Sequence, residues 1–209
     1  SGLTIIIYMR IDQLMVSDIL GDYQGGIYAA AVKLSEVWYF VPVAVVSSVF
    51  PILLAVRCQS TSKYLDQLEL LCSGVVLFSA FVAIMVSVFA ENIVLWIYGP
   101  AYGDAATILI VHVWCGVFVA MGQVTGRWFI AEDKGYLALV RNLAGCLINV
   151  ALNVLMIPRW GALGAAIGTL LSQMTATYFM HAFSRQTIHI FMLQTRAIMM
   201  IPIIKRLKI

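Results

Sequence analysis

The chain has 209 residues, of which 62% are hydrophobic and only 11% are charged, and its formal net charge is +3. A soluble domain carries roughly 25% charged residues, and its mean hydropathy does not approach the +0.96 of this chain. The composition therefore excludes an ordinary soluble protein and predicts an all-α, polytopic transmembrane helix bundle.

Six apolar runs are long enough to cross a bilayer, given roughly 20 residues per helix. They lie at 2–20, 27–55, 67–90, 105–131, 136–157 and 161–183. We predict that residues 1–183 form a transmembrane lobe of about six helices, and that residues 184–209 form a basic cytoplasmic tail with an interfacial helix. Because the chain opens on apolar sequence without an initiator Met, we expect it to be a piece of a longer protein.

The positive residues outside the predicted spans fall mostly on one side of the bundle. One set of alternating loops, together with the tail, holds Arg57, Lys63, Lys134, Arg185, Arg196, Lys205, Arg206 and Lys208. The opposite set holds only Arg159. Since positive loops face the cytoplasm, we predict that both chain ends are cytoplasmic.

No pattern in the sequence indicates a catalytic, metal or cofactor site. The four cysteines lack any CxxC spacing, and no nucleophile motif, phosphate-binding loop or acidic metal cluster is present. The loops are also too short to form a catalytic domain outside the membrane. These observations predict a protein that is not an enzyme and uses no cofactor.

Two charged residues lie near the middle of the first span, where charge is expensive to bury. Arg10 and Asp12 are within about 2 Å of its midpoint, at 1.5 Å per residue. Being two residues apart, they point in different directions and cannot pair within the helix. We expect each of them to find a partner on another helix or in water.

Three further charged residues are candidates for the same polar cavity. Lys33 and Glu36 are three residues apart in the second span, so they could instead neutralise each other. Arg141, in the fifth span, could face the cavity or reach the membrane interface. Pro42 lies near the middle of the second span, where it should kink the helix and could serve as a gating element.

Several sequence stretches resemble the polysaccharide flippases of bacterial inner membranes, in particular the Wzx-type O-antigen flippases. The resembling runs are Ile7–Met15, Leu20–Asp22, Gly26–Ala31, Leu34–Pro42 and Ser47–Pro51. Later stretches are similar only to the wider superfamily of multidrug, oligosaccharidyl-lipid and polysaccharide exporters. These are Trp96–Tyr102, Asn149–Asn153 and Gly161–Ala166.

The resemblance implies a transporter with about twelve helices in two lobes, of which this chain supplies the C-terminal lobe and lacks the N-terminal one. Its substrate would be an undecaprenyl-diphosphate-linked oligosaccharide repeat unit, flipped by alternating access. Arg10, Arg141 and Lys33 would then lower the cost of carrying the diphosphate through the membrane. Asp12 and Glu36 would hold the basic residues in place, or take a proton or sodium ion on the return step.

Other functions stay open at this point. A lipid-linked peptidoglycan precursor flippase or a drug/cation antiporter of the same superfamily is the main alternative, although the charges singled out within the spans are mostly basic and favour an anionic substrate. A repeat-unit polymerase should carry a larger outer loop than Glu91 to Asp104. An inactive truncated fragment is the remaining possibility. The sugar specificity and the oligomeric state are not readable from the sequence.

Overall fold

The described part of the chain consists of helices joined by short turns. The computed structural model describes residues 2–203, with side chains from Arg10 onward. Its helices are α1 Gly2–Leu20, α2 Asp22–Glu36, α3 Phe40–Arg57, α4 Thr61–Val88, α5 Ala90–Tyr98, α6 Ala105–His112, α7 Cys115–Ala131, α8 Gly135–Thr177 and α9 Ile188–Ile198, with short 3-10 turns at Pro100–Tyr102 and Phe179–Ala182. Within residues 2–203 there is no strand, so the predicted all-α class is confirmed.

Four helical stretches are long and apolar enough to cross a membrane. They are Asp22–Arg57, Thr61–Val88, Ala105–Ala131 and Gly135–Ala182. Large apolar side chains such as Leu147 and Phe81 are more than half exposed on the outside of the bundle, as expected where lipid is the solvent. The chain is a multi-pass membrane protein. Helix α1, which carries Arg10, Asp12 and Asp18, is not among the four, so its crossing of the membrane stays a prediction.

The count of four differs from the predicted six because α1 is not among the four, and because the fifth and sixth predicted spans are joined in α8, which spans 43 residues. At Gly161 the backbone leaves the helical region, with φ 60° and ψ −147°, and the helix folds back on itself. Asn149 Nδ2 donates to Ser172 Oγ at 3.3 Å, which requires two antiparallel arms. We call residues 135–160 the first arm and residues 162–177 the second arm. They correspond to the fifth and sixth predicted spans, and the predicted loop at 158–160 is the end of the first arm.

The two arms approach closely because small residues face each other. A Cβ atom placed on Gly164 would overlap the backbone carbonyl of Met156, and one on Gly168 would lie 2.7 Å from Asn153 Oδ1. The small-residue spacing predicted a close helix contact, and the structure places that contact within α8 itself.

Two of the predicted spans are broken rather than continuous. Residues Val37–Tyr39 form a turn between α2 and α3, and Val113–Trp114 separate α6 from α7. At the first break Tyr39 N–H donates to Glu36 O at 2.9 Å, a three-residue step instead of the helical four. Pro42 lies in the first turn of α3, where its missing N–H costs little. The chain therefore breaks just before the proline.

The core has two clusters. The first joins α1, α2, α6 and α8 around small and β-branched residues such as Ala31, Val32 and Ala165. The second joins α3, α4, α7 and α9 around larger side chains such as Met121 and Phe129. Helix α9 contributes Ile190, Leu193 and Ala197 to it, so the segment after residue 183 packs on the bundle. Lys205, Arg206 and Lys208 of the predicted basic tail lie outside the described residues.

Candidate functional site

An open groove runs along the side of the bundle where α1 and α2 meet. Two adjoining cavities of about 660 and 500 Å³ share Leu14, Ser17 and Asp22 and form one continuous surface. The helices meet closely at Gly25, where a Cβ atom would lie 2.8 Å from the Cβ of Ser17. Arg10 lines one of the two cavities and Asp18 the other. The groove thus has a mixed lining of apolar and charged groups, and its charged residues are Arg10, Asp18 and Asp22.

Arg10 is exposed and lies in the wall of this groove. Its Nη1 donates to Gln13 Oε1 at 3.0 Å, one helical turn further along α1. We expected Arg10 to find its partner on another helix or in water, but this hydrogen bond is formed within α1. Asp18 is also exposed on α1. It is a charged residue within the first predicted span for which we predicted no role.

Asp12 lies on the opposite side of α1 and is only 3% exposed. Its Oδ2 accepts hydrogen bonds from Tyr28 Oη at 2.6 Å and from Thr169 Oγ1 at 3.2 Å. Its Oδ1 accepts one from the backbone N–H of Gln13 at 2.8 Å. The expected partners on other helices are therefore present, on α2 and on the second arm of α8. Among the described residues no basic side chain lies within ion-pair distance of Asp12.

The hydrogen bonds continue from Thr169 into the first arm of α8. Asn149 Nδ2 donates to Thr169 Oγ1 at 3.1 Å, and Asn153 Nδ2 donates to Asn149 Oδ1 at 3.1 Å. The buried Oδ1 of Asn153 accepts no hydrogen bond. Asparagine side chains in membrane helices commonly form hydrogen bonds of this kind between helices. Nothing in the sequence pattern singled out Tyr28 or Thr169, because only the tertiary fold brings them to Asp12.

Glu36 reaches the same region from the end of α2. Together with Asp12 it lines a closed cavity of about 20 Å³, whose other polar lining residues include Tyr39, His112 and Thr169. Lys33 is exposed. No ion pair joins Lys33 to Glu36 in the described part of the chain, so the mutual neutralisation that the sequence left open does not occur. The structure thus brings together Asp12 and Glu36.

Arg141 lies in a different place. It is only 8% exposed, its Nη1 donates to Thr125 Oγ1 at 2.9 Å, and its guanidinium lies 5.7 Å from the centre of the Phe129 ring. Thr125 and Phe129 belong to α7, and Arg141 lines neither the groove nor the closed cavity. The structure therefore does not bring Arg141 together with Arg10 or Lys33. Its contacts are those of a side chain that ties α7 to the first arm of α8.

The arrangement offers two kinds of chemistry. The groove presents the guanidinium of Arg10, two carboxyl groups and several hydrogen-bonding groups to a large polar ligand. The carboxyl group of Asp12 and the hydroxyls that bond to it offer buried oxygen atoms to a small cation. Within the described residues no group of three or more His, Cys, Asp or Glu is placed to hold a metal ion.

Comparison with known proteins found one similar curated protein. The chain is 25% identical over 171 residues to a protein of Haloferax volcanii named "Probable low-salt glycan biosynthesis flippase Agl15". The match covers 79% of this chain and 35% of that protein, so the chain spans about a third of the length of its relative. No family model matches the chain. No solved structure matches it either.

Proposed function

We propose that this chain is part of a flippase that moves lipid-linked glycans across a membrane. The observation that carries the proposal is the groove with Arg10 in its wall, on the flank of a bundle that exposes many large apolar side chains. A relative named as a glycan biosynthesis flippase supports this transport class over an enzyme. A lipid-linked substrate needs such a surface, because its charged headgroup cannot cross hydrocarbon unassisted while its tail remains in lipid.

The finer assignment concerns the substrate and the membrane. We propose undecaprenyl-diphosphate-linked O-antigen or related polysaccharide units, flipped across the bacterial inner membrane, with the C-terminus in the cytoplasm. The support is the residue resemblance in α1, α2 and α3 and the excess of positive residues on one side of the bundle. Arg10, in the wall of the groove, would face the diphosphate. Lys33 is exposed on α2 but does not line the groove.

The second lobe is also part of the proposal. The relative is almost three times as long as the matched segment, and the groove on α1 and α2 is the surface of this bundle best suited to face another lobe across a substrate path. In this scheme residues 1–183 are one lobe and residues 184–209 are its cytoplasmic or interfacial tail. The two lobes move so that the groove is exposed in turn to the two sides of the membrane. The helix break before Pro42 would give α2 and α3 freedom to change their mutual angle.

Asp12 would carry the coupling ion, a proton or Na⁺. A buried carboxylate without a basic partner is costly unless a cation neutralises it. Tyr28 and Thr169 donate to Asp12 from two other helices, so loading or unloading this carboxylate would change the attraction between α1, α2 and the second arm of α8. An ion at Asp12 could in this way bias which face of the groove is open.

The experiment uses the full-length protein that contains this chain, expressed in a host lacking its own flippase. We expect Arg10→Ala to abolish surface polysaccharide at normal abundance in the membrane, and Arg10→Lys to restore part of it. Arg159→Ala removes the same charge from an exposed position away from the groove and should leave display unchanged. Normal display by Arg10→Ala would remove the central residue of the proposal. Failure of the unmodified protein to restore display would argue against a polysaccharide substrate.

A further inference from the structure

The closed cavity beside Asp12 lies where two broken helices face each other. Glu36 is the last residue of α2 and Tyr39 lies in the turn that follows it, while His112 ends α6 and Cys115 begins α7. All four residues line the cavity. Both breaks replace four-residue backbone hydrogen bonds with three-residue ones, such as Trp114 N–H to Val111 O at 3.3 Å. Paired breaks at one level of a membrane bundle are where a polar cavity can form.

The electrostatics of this cavity favour positive charge. The C-terminal ends of α2 and α6 meet there, but their carbonyls accept the hydrogen bonds of the breaks, and the N-terminal ends of α3 and α7 adjoin them, so the helix ends add little net charge. The negative charge comes from the carboxyl groups of Asp12 and Glu36, and within the described residues no basic side chain forms an ion pair with either of them. Ser35 and His112, whose Oγ and Nδ1 are 2.6 Å apart, join the two breaks beside the cavity.

The volume of the cavity limits what can bind in it. A volume of about 20 Å³ is enough for one water molecule, which needs roughly 10 to 15 Å³ and at least two polar partners. Two carboxyl groups and the hydroxyl of Tyr39 provide them. The Tyr39 hydroxyl is buried and makes no protein hydrogen bond of ordinary geometry, as expected of a group that bonds to a water molecule in the cavity.

Glu36 lies on the same face of α2 as the groove, two turns beyond Ala29, which is the last α2 residue that lines the groove. Its side chain is only partly buried, and it lines the cavity together with Asp12. Asp12 itself is almost fully enclosed. An ion coming from the groove therefore meets the carboxyl group of Glu36 before it reaches Asp12.

We propose that Glu36 and one water molecule in this cavity form the route by which a proton passes between the groove and Asp12. This inference rests on the proposed role of Asp12 as the coupling carboxylate. Protonated Glu36 gives its proton to the water, the resulting hydronium gives one to the Asp12 carboxylate, and Glu36 takes a new proton from the groove. The net change is one proton moved to Asp12, with no other group altered. The hydroxyl of Tyr39 orients the water.

The test follows proton loading in proteoliposomes that hold the full-length transporter. After an acid jump, infrared difference spectroscopy records protonation of the Asp12 carboxyl, whose band is identified by its loss in Asp12→Asn. We expect Glu36→Gln to slow this protonation by about 100-fold, the lower range for a positioned proton-transferring side chain, without changing its final extent. Glu36→Asp should recover most of the rate, and Tyr39→Phe should slow it less than Glu36→Gln does.

Controls separate this inference from the proposed function. Glu91→Gln makes the same change on α5, where the side chain is exposed, and should load at the unmodified rate. An unchanged final extent of protonation in Glu36→Gln also shows that the protein is folded. A Glu36→Gln variant that loads Asp12 as fast as the unmodified protein would overturn the route. Loading by Na⁺ instead of a proton would overturn it as well. A failure of the proposed function would look different: Asp12→Asn would then transport with unchanged dependence on the ion.

Discussion

Among the Asp, Glu, Lys and Arg side chains that the structure describes, Asp12 and Arg141 are the buried ones, and their surroundings differ. Asp12 accepts hydrogen bonds from neutral donors on three helices and borders a cavity. Arg141 lies against the Phe129 ring and the Thr125 hydroxyl. Under the proposed function a mobile ion neutralises the first charge, while the second is enclosed by the packing of two helices.

The difference shows how a membrane protein can use buried charge in two ways. A charge with exchangeable surroundings can be loaded and unloaded, so its site needs space and donors that can move apart. A charge packed between an aromatic ring and a hydroxyl has no such freedom, and it connects elements instead. The sequence did not distinguish Asp12 from Arg141, because both residues lie in apolar runs. The first two of the following three experiments test the comparison, and the third tests a separate ionisable group, His189.

The largest expected effect is on ion-coupled transport. Asp12→Asn keeps the shape of the side chain but cannot take a proton or neutralise a cation, so we expect ion-dependent transport by the full-length protein to fall by at least about 100-fold. Arg141→Met keeps most of the volume of the arginine, and we expect transport within about threefold of the unmodified rate, since apolar replacements of buried ions are often tolerated. Flux assays in proteoliposomes measure both. Equal losses of transport in the two variants would contradict the distinction between Asp12 and Arg141.

An intermediate effect is expected on stability. Gly164→Ala forces a methyl group onto the Met156 carbonyl, so the arms of α8 near Asp12 must separate, at a cost of about 1 to 3 kcal/mol. Gly126→Ala is the matched change near Arg141, where the nearest atom to the new methyl is Arg141 Nη2 at 4.0 Å. It should be neutral or stabilising, by up to about 1 kcal/mol. Denaturation in detergent compares the two, and a stable Gly164→Ala protein would contradict the close contact.

The smallest effect concerns pH at the α9 end of the bundle. The His189 ring lies 5.0 Å from the Trp128 ring. Partial burial, and then the nearby Lys134, lower the pKa of His189, while Glu132 opposes them. The unfolded chain therefore binds this proton more readily, and stability should be lost as pH falls below the ordinary histidine pKa of about 6.5. Thermal unfolding at about pH 7.5 and about pH 5.5 should show a smaller pH effect in His189→Gln than in the unmodified protein. An identical pH effect in both would exclude His189 as its source.

Much of the architecture was predictable from the sequence because lipid imposes strong rules. Apolar runs of about 20 residues are helices in a bilayer, and the predicted runs match α4, α6 with α7, and the arms of α8. The fold-back at Gly161 also follows a local signal, since glycine adopts positive φ without strain. The breaks at Val37–Tyr39 and Val113–Trp114 were harder to foresee. Only Pro42 marked the first of them, and no residue type marked the second.

By itself, the sequence determined the class of the protein and the approximate position of the helices long enough to cross a membrane, and it singled out Arg10, Asp12 and Glu36 as charged residues within apolar runs. These properties depend on composition and on the length of apolar runs, both of which are local. Only the tertiary structure decided that Asp12 meets Tyr28 and Thr169, that Asp12 and Glu36 share a cavity, and that Arg141 is apart from both. Those outcomes depend on which face each helix turns toward its neighbours. That choice is made by the packing of side chains far apart in the sequence, which no local pattern records.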